Sequence, residues 1–242
     1  MKISIGSLSG IVIAVALSIA PFAAGQTPMS FNGYYSAVSC IGPEGCVGAG
    51  LYGGTINGVN VGQGQNVPGM ICDDYFDNIT AGQTWKASGL DAANIGSNLS
   101  QTLFGAAIGL AGYTEVAYLA NTMLTSAGLT SAQQGAISEA IWYITSKGAS
   151  GALALGSLAQ GYLTAALNAW NNGNGITLSQ FANLYLYTPS PQGPGEAQEM
   201  WSLVPVPEGG TALAYLLLAG VFCFGAMRLR LRQQTSGGRS AV

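Results

Sequence analysis

The stretch Cys72-Asp73-Asp74-Tyr75-Phe76-Asp77 puts a thiol and three carboxyls within six residues. Such a run could supply a nucleophile, an acid–base pair, or oxygen ligands for a hard cation. As Ca²⁺ ligands, Asp73, Asp74 and Asp77 would need backbone oxygens to complete the shell; the plainer reading is a solvated strand end after Cys72. Asp73 with Glu139 could form the two-carboxylate pair of a glycosidase, but nothing in the sequence fixes their separation. The chain contains no His and no Ser in a nucleophile-elbow motif, so a hydrolase triad lacks its base. The cysteine spacing is not of a zinc type. The chemistry-bearing residues therefore point to a body with no catalytic set, no metal and no cofactor.

The elements that would position these residues follow from pattern. Short runs broken by Gly and Asn-Gly read as strands near Tyr34–Cys40, Leu51–Val59, Met70–Asp74 and Gln83–Ala87, with Asn57-Gly58 as a hairpin pair. Helical periodicity then takes over. Thr114 to Ser126 places Val116, Leu119, Ala120 and Met123 on one face, and Gly128 ends it. Thr130 and Gln133 form a capping box for a second helix through Ile137, Ile141 and Ile144, with Ala140 and Trp142 beside them. A third, about Leu155 to Trp170, carries Leu158, Tyr162, Ala165 and Ala169, and the run 171–175 breaks it. Phe181–Tyr187 and Gln198–Val204 read as closing strands. The expected fold is α+β: a single domain of antiparallel strands with a helical insertion of about three helices. Tyr34, Tyr35, Tyr52, Tyr143, Tyr185 and Tyr187 could stack on sugars if exposed; core or cross-strand packing is the favoured expectation.

Both ends are apolar. Lys2, the run Ile11 to Ala20, Pro21 and the small residues Ala23-Ala24-Gly25 compose a signal peptide over 1–25, cut after Gly25. Thr211 to Met227 is uncharged and long enough, at the lower limit, for a transmembrane helix. Arg228, Arg230 and Arg232 follow at once and hold that end, with the tail 233–242, in the cytoplasm. The body, 26–204, then lies outside. From Gln26 to Glu208 two cations face ten acids, a net charge of −8, which excludes nucleic acid and anionic lipid as partners. In an exported chain cysteines tend to pair. Cys40 and Cys46 flank the turn Ile41-Gly42-Pro43-Glu44-Gly45 and are the expected disulfide; the alternative joins Cys72 to one of them. Cys223 falls inside the expected span.

The order Val206-Pro207-Glu208, apolar helix, Arg228 to Arg232 resembles the PEP-CTERM sorting signal over 205–232. Gly209-Gly210-Thr211 stands where that family has a second Pro followed by Ser or Thr. The resemblance implies an exosortase that processes the chain near Pro207-Glu208, after signal peptidase and the secretion machinery have acted. It also implies a mature form at the cell surface or beyond, in an exopolysaccharide context.

In the body, Ile71-Cys72-Asp73-Asp74, Ala140-Ile141-Trp142 and Gln198-Glu199-Met200 resemble the thioester-domain-like family, whose members recur as surface adhesins. That family joins a Cys, here Cys72, to a Gln two residues before the Ala-Ile-Trp triplet. Ser138 occupies that position and has no carboxamide, so the resemblance implies the fold without the bond. The expected protein is an exported, non-catalytic surface or matrix protein, structural or adhesive. Alternatives are an extracellular polysaccharide-active enzyme and a covalent thioester adhesin.

Overall fold

A computed structural model of the chain describes residues 26–146, 153–171, 175–191 and 197–205. The expected signal peptide, the sorting segment from Val206 and the span 211–227 with its arginines lie outside them. Seven strands form one sheet: β1 (Thr27–Gly42), β2 (Gly45–Ile56), β3 (Val59–Val61), β4 (Ile71–Cys72), β5 (Thr84–Asp91), β6 (Tyr185–Pro189) and β7 (Met200–Ser202). Their order is β3-β2-β1-β5-β6-β7-β4, and every pairing is antiparallel. Helices α1 (Ala92–Ile95), α2 (Gly105–Thr125), α3 (Ser131–Thr145) and α4 (Ser157–Asn171) fall between β5 and β6. The chain is thus an antiparallel sheet with a helical insertion, and a one-turn α1 joins the three helices expected. Among the described residues no helix is long and apolar enough to cross a membrane.

Strands alternate their side chains between two faces, and the two cores show it. Ile71, Leu186 and Trp201 pack under the helices with Val116, Leu119, Ile137, Ile141 and Trp142. Their neighbours Cys72, Tyr187 and Met200 turn to the other face with Met29, Phe31, Tyr52 and Met70. α3 begins at the Thr130–Gln133 capping box, in which each residue's side chain bonds the other's backbone N–H.

Several expected elements shift. β1 starts at Thr27, not Tyr34: the Asn32-Gly33 pair is no stop but an irregularity, with Gly33 at φ 90° and a register break between Phe31 and Tyr35. Asn57 (φ 49°) and Gly58 (φ 79°) make the tight turn from β2 to β3. α2 starts nine residues before Thr114, at Gly105, and passes a kink at Gly109, φ 61°. Phe181 belongs to a 3₁₀ turn, Leu178–Phe181, and β6 starts later.

The buried face of α4 is Ala159, Leu163 and Ala166, one residue round from the expected stripe, and Leu158 is 48% exposed. The two alanines let α4 approach α2 and α3 closely while Leu163 enters the core.

Gly54 sits where β2 presses on β1: a Cβ there would stand 1.9 Å from the Ser30 carbonyl oxygen. Gly54→Ala should therefore cost about 1–3 kcal/mol, read as a lower urea midpoint at unchanged slope.

Candidate functional site

β4 brings the thiol–carboxyl run into the sheet beside β7, with Ile71 opposite Trp201 and Cys72 opposite Met200. α3 grips the same segment from above. Trp142 Nε1 donates to the Cys72 carbonyl at 3.1 Å and Thr145 Oγ1 to the Asp73 carbonyl at 2.6 Å. Three segments far apart in the chain, 72–77, 138–145 and 198–201, therefore meet in one place.

The acids there are not a solvated strand end; that expectation is overturned. Asp73 is 0% and Asp74 4% exposed, as is Glu199 at 0%, which sequence reasoning left without a role. Glu199 gathers donors from α2, from β6 and from the loop before α2: Tyr113 OH at 2.6 Å, Thr188 Oγ1 and Leu103 N at 2.9 Å. Asp73 Oδ2 accepts from Trp201 Nε1 at 2.8 Å, and the Asp73 carboxyl faces the Glu199 carboxyl. Two carboxyls in contact must share a proton. Burial raises both pKa values, and the neighbouring Glu199 charge pushes Asp73 higher still. Glu199, which has three donors, is the better stabilised as the anion, and Asp73 is the readier to hold the proton.

Asp74 has another task. Its Oδ1 accepts from Phe76 N at 3.0 Å and Asp77 N at 3.3 Å, closing a turn. Gln198 Nε2 donates to the Asp74 carbonyl at 3.0 Å and to the Asp77 carbonyl, which ties the turn to β7. Burial, then the nearby Asp77, raises the Asp74 pKa to about 7. Among the described residues no group of three or more Cys, Asp or Glu is arranged to hold a metal ion.

Asp73 and Glu139 do not form a pair: Glu139 accepts from Ser39 Oγ at 2.8 Å, while Asp73 is engaged by Glu199. The Cys72 thiol is fully buried and donates to the Asp74 carbonyl at 2.9 Å. Burial, followed by the neighbouring Asp74 charge, pushes its pKa well up, so it stays a protonated thiol, unsuited to attack. Ser138 Oγ accepts from Gly50 N at 2.9 Å, and so supports β2 where Gly50 takes φ 77°. Cys40 and Cys46 form the disulfide that closes the β1–β2 turn, and Cys72 is free.

Beside this network opens a cleft of about 70 Å³. Tyr35 of β1, Tyr52 of β2, Trp142 of α3, Asp74, Asn78 and Gln198 line it. The tyrosines divide between core and surface. Tyr52 and Tyr187 are buried, as the favoured core reading expects, whereas Tyr35 (44%) and Tyr143 (41%) are exposed. Tyr35 lies opposite Tyr52 in the β1–β2 register. No family model, curated protein or solved structure matches the chain.

Glu199→Ala would leave Tyr113 OH, Leu103 N, Thr188 Oγ1 and Asp73 without their common acceptor. Urea unfolding followed by Trp fluorescence should show a loss of about 3–5 kcal/mol.

The proton economy gives a second expectation. Asp73 and Asp74 bind protons more tightly folded than unfolded, so their contribution is full below the ordinary carboxylate range. It is lost as pH rises, for Asp74 through about 7. The urea midpoint should fall between about pH 5 and pH 8, and Asp74→Asn should flatten that slope.

Proposed function

We propose that the chain is an exported, non-catalytic protein of the cell surface or extracellular matrix. In this reading residues 1–25 are removed by signal peptidase, and exosortase acts near Val206-Pro207-Glu208. Thr211–Met227 crosses the membrane, and Arg228, Arg230 and Arg232 hold its cytoplasmic end. The body resides outside, structural or adhesive, in contact with exopolysaccharide.

The observation that carries the non-catalytic part is where the carboxyls are spent. Asp73 and Glu199 are sealed from solvent, set against each other, and bound to backbone and ring N–H groups. A general acid or base must reach a substrate proton within about 3 Å or through one water, and this pair has no such opening. The thiol of Cys72 is likewise occupied by Asp74. Support for the exported part comes from the sequence: the three-part C-terminal order, the acidic body and the apolar N-terminus. A disulfide between Cys40 and Cys46 suits an oxidising compartment.

The test is the intact mass of the protein recovered from its own cells, with membrane and medium separated. A chain running from Gln26 to near Glu208 is the expected result. A mass that retains Thr211–Val242 would sink the sorting reading and leave a membrane-tethered domain.

A further inference from the structure

The cleft beside Asp74 combines groups that the strand-holding network does not use. Tyr35 is 44% exposed although it stands mid-strand, and its ring lies directly over Gly48. A Cβ at Gly48 would come within 2.8 Å of Tyr35 Cδ1, so only glycine leaves room for the ring there. The result is an aromatic ring backed by β2 at the mouth of the cleft. Gln198, 5% exposed, has Nε2 committed to the Asp74 and Asp77 carbonyls, and that fixes which amide atom is the oxygen. Its Oε1 is buried without a donor. A buried acceptor in this state costs stability until a donor arrives. Asn78, exposed at the rim, offers a donor and an acceptor side by side.

We propose that this cleft binds the hydroxyl-bearing edge of a neutral saccharide, with Tyr35 as the stacking platform and Asp74, Asn78 and Gln198 as hydrogen-bonding partners. Three further observations set the ligand class. A cleft of about 70 Å³ admits a few water-sized groups, enough for the hydroxyls of one sugar edge and too little for a whole oligosaccharide. The acidity of the body, −8 between Gln26 and Glu208, repels uronic, sulfated and phosphorylated polymers. Asp74 has one oxygen bound by two backbone N–H groups, its carboxyl also meets the Asp77 side chain, and burial raises its pKa to about 7. A cation needs the ionised form throughout, whereas a hydroxyl donates to the ionised form and accepts from the protonated one. The inference deepens the surface-matrix reading and rests on it for the source of the sugar.

Saturation-transfer NMR on the full-length chain, held in a detergent without a sugar headgroup, tests this directly. The probes are cellobiose, maltose and diacetylchitobiose at about 5 mM, with an alginate oligosaccharide and acetyl-lysine methylamide as anionic and cationic controls. Transfer to at least one neutral disaccharide is expected. Tyr35→Ala and Asn78→Ala should each weaken it about fivefold or more, and Tyr35→Phe should retain it. Both positions are exposed, so an unchanged far-UV spectrum checks that the fold persists. Absence of transfer to all three disaccharides overturns the proposal. So does transfer indifferent to Tyr35→Ala, or binding confined to either charged control. Failure here with a correctly processed mass removes the cleft and leaves the sorting reading intact; binding by a chain that keeps its C-terminus does the reverse.

Discussion

One ionised carboxylate, Glu199, organises the centre of the molecule. It stands just before β7 with no exposure, and charge in that position is tolerated only because donors converge on it. Those donors come from Leu103 just before α2, from α2, from β6 and from the protonated Asp73 after β4. None can move without leaving the charge short of a partner. The sheet edge made by β7 and β4 is only three and two residues long, too short to be held by ladder bonds alone. The carboxyl pair supplies the constraint that these strands lack.

That constraint shapes what lies around it. With Asp73 pinned between Glu199 and Trp201, and its carbonyl and that of Cys72 held by α3, the chain leaves β4 on a fixed course. The Asp74 turn follows at once and Gln198 fastens it from the other side. The loop 73–79 thereby walls a cleft without secondary structure of its own. On the opposite wall β1 and β2 approach closely enough for a tyrosine ring to sit on a glycine. A rigid carboxyl core thus positions an exposed aromatic and several amides without taking part in any contact they make.

How much of this was legible depended on range. The Thr130–Gln133 box and the stripe Ile137, Ile141, Ile144 are local, and they mark α3 correctly. Asn57-Gly58 marks its turn for the same reason. Glycine misled where tertiary packing overrides propensity. Gly33 lies within a strand, and Gly105, Gly109 and Gly112 lie within α2. On α4 two adjacent apolar stripes compete, and the choice between them belongs to α2 and α3, not to α4. The carboxyl pair was hidden most deeply. Nothing around Gln198-Glu199-Met200 announces that its partner is Asp73, and an acid beside a Cys reads as a wet strand end until the fold closes over it. The short segments with Cys72, Trp142 and Gln198, which together carry one family resemblance, do meet in the fold.

The position of β4 has a consequence for the order of assembly. Met70, just before it, is bridged to Tyr52 of β2, but Cys72 itself stands opposite Met200 of β7, at the far end of the described body, and is not shielded by it until that strand is present. Throughout that interval the three cysteines of the described residues are open to any oxidant present. Cys40 and Cys46 are six residues apart on one hairpin. Closing so short a loop costs less chain entropy than bridging either of them to Cys72. The correct pair is favoured by proximity before the fold exists to enforce it, and the late strand then locks away a thiol that has already been left without a partner.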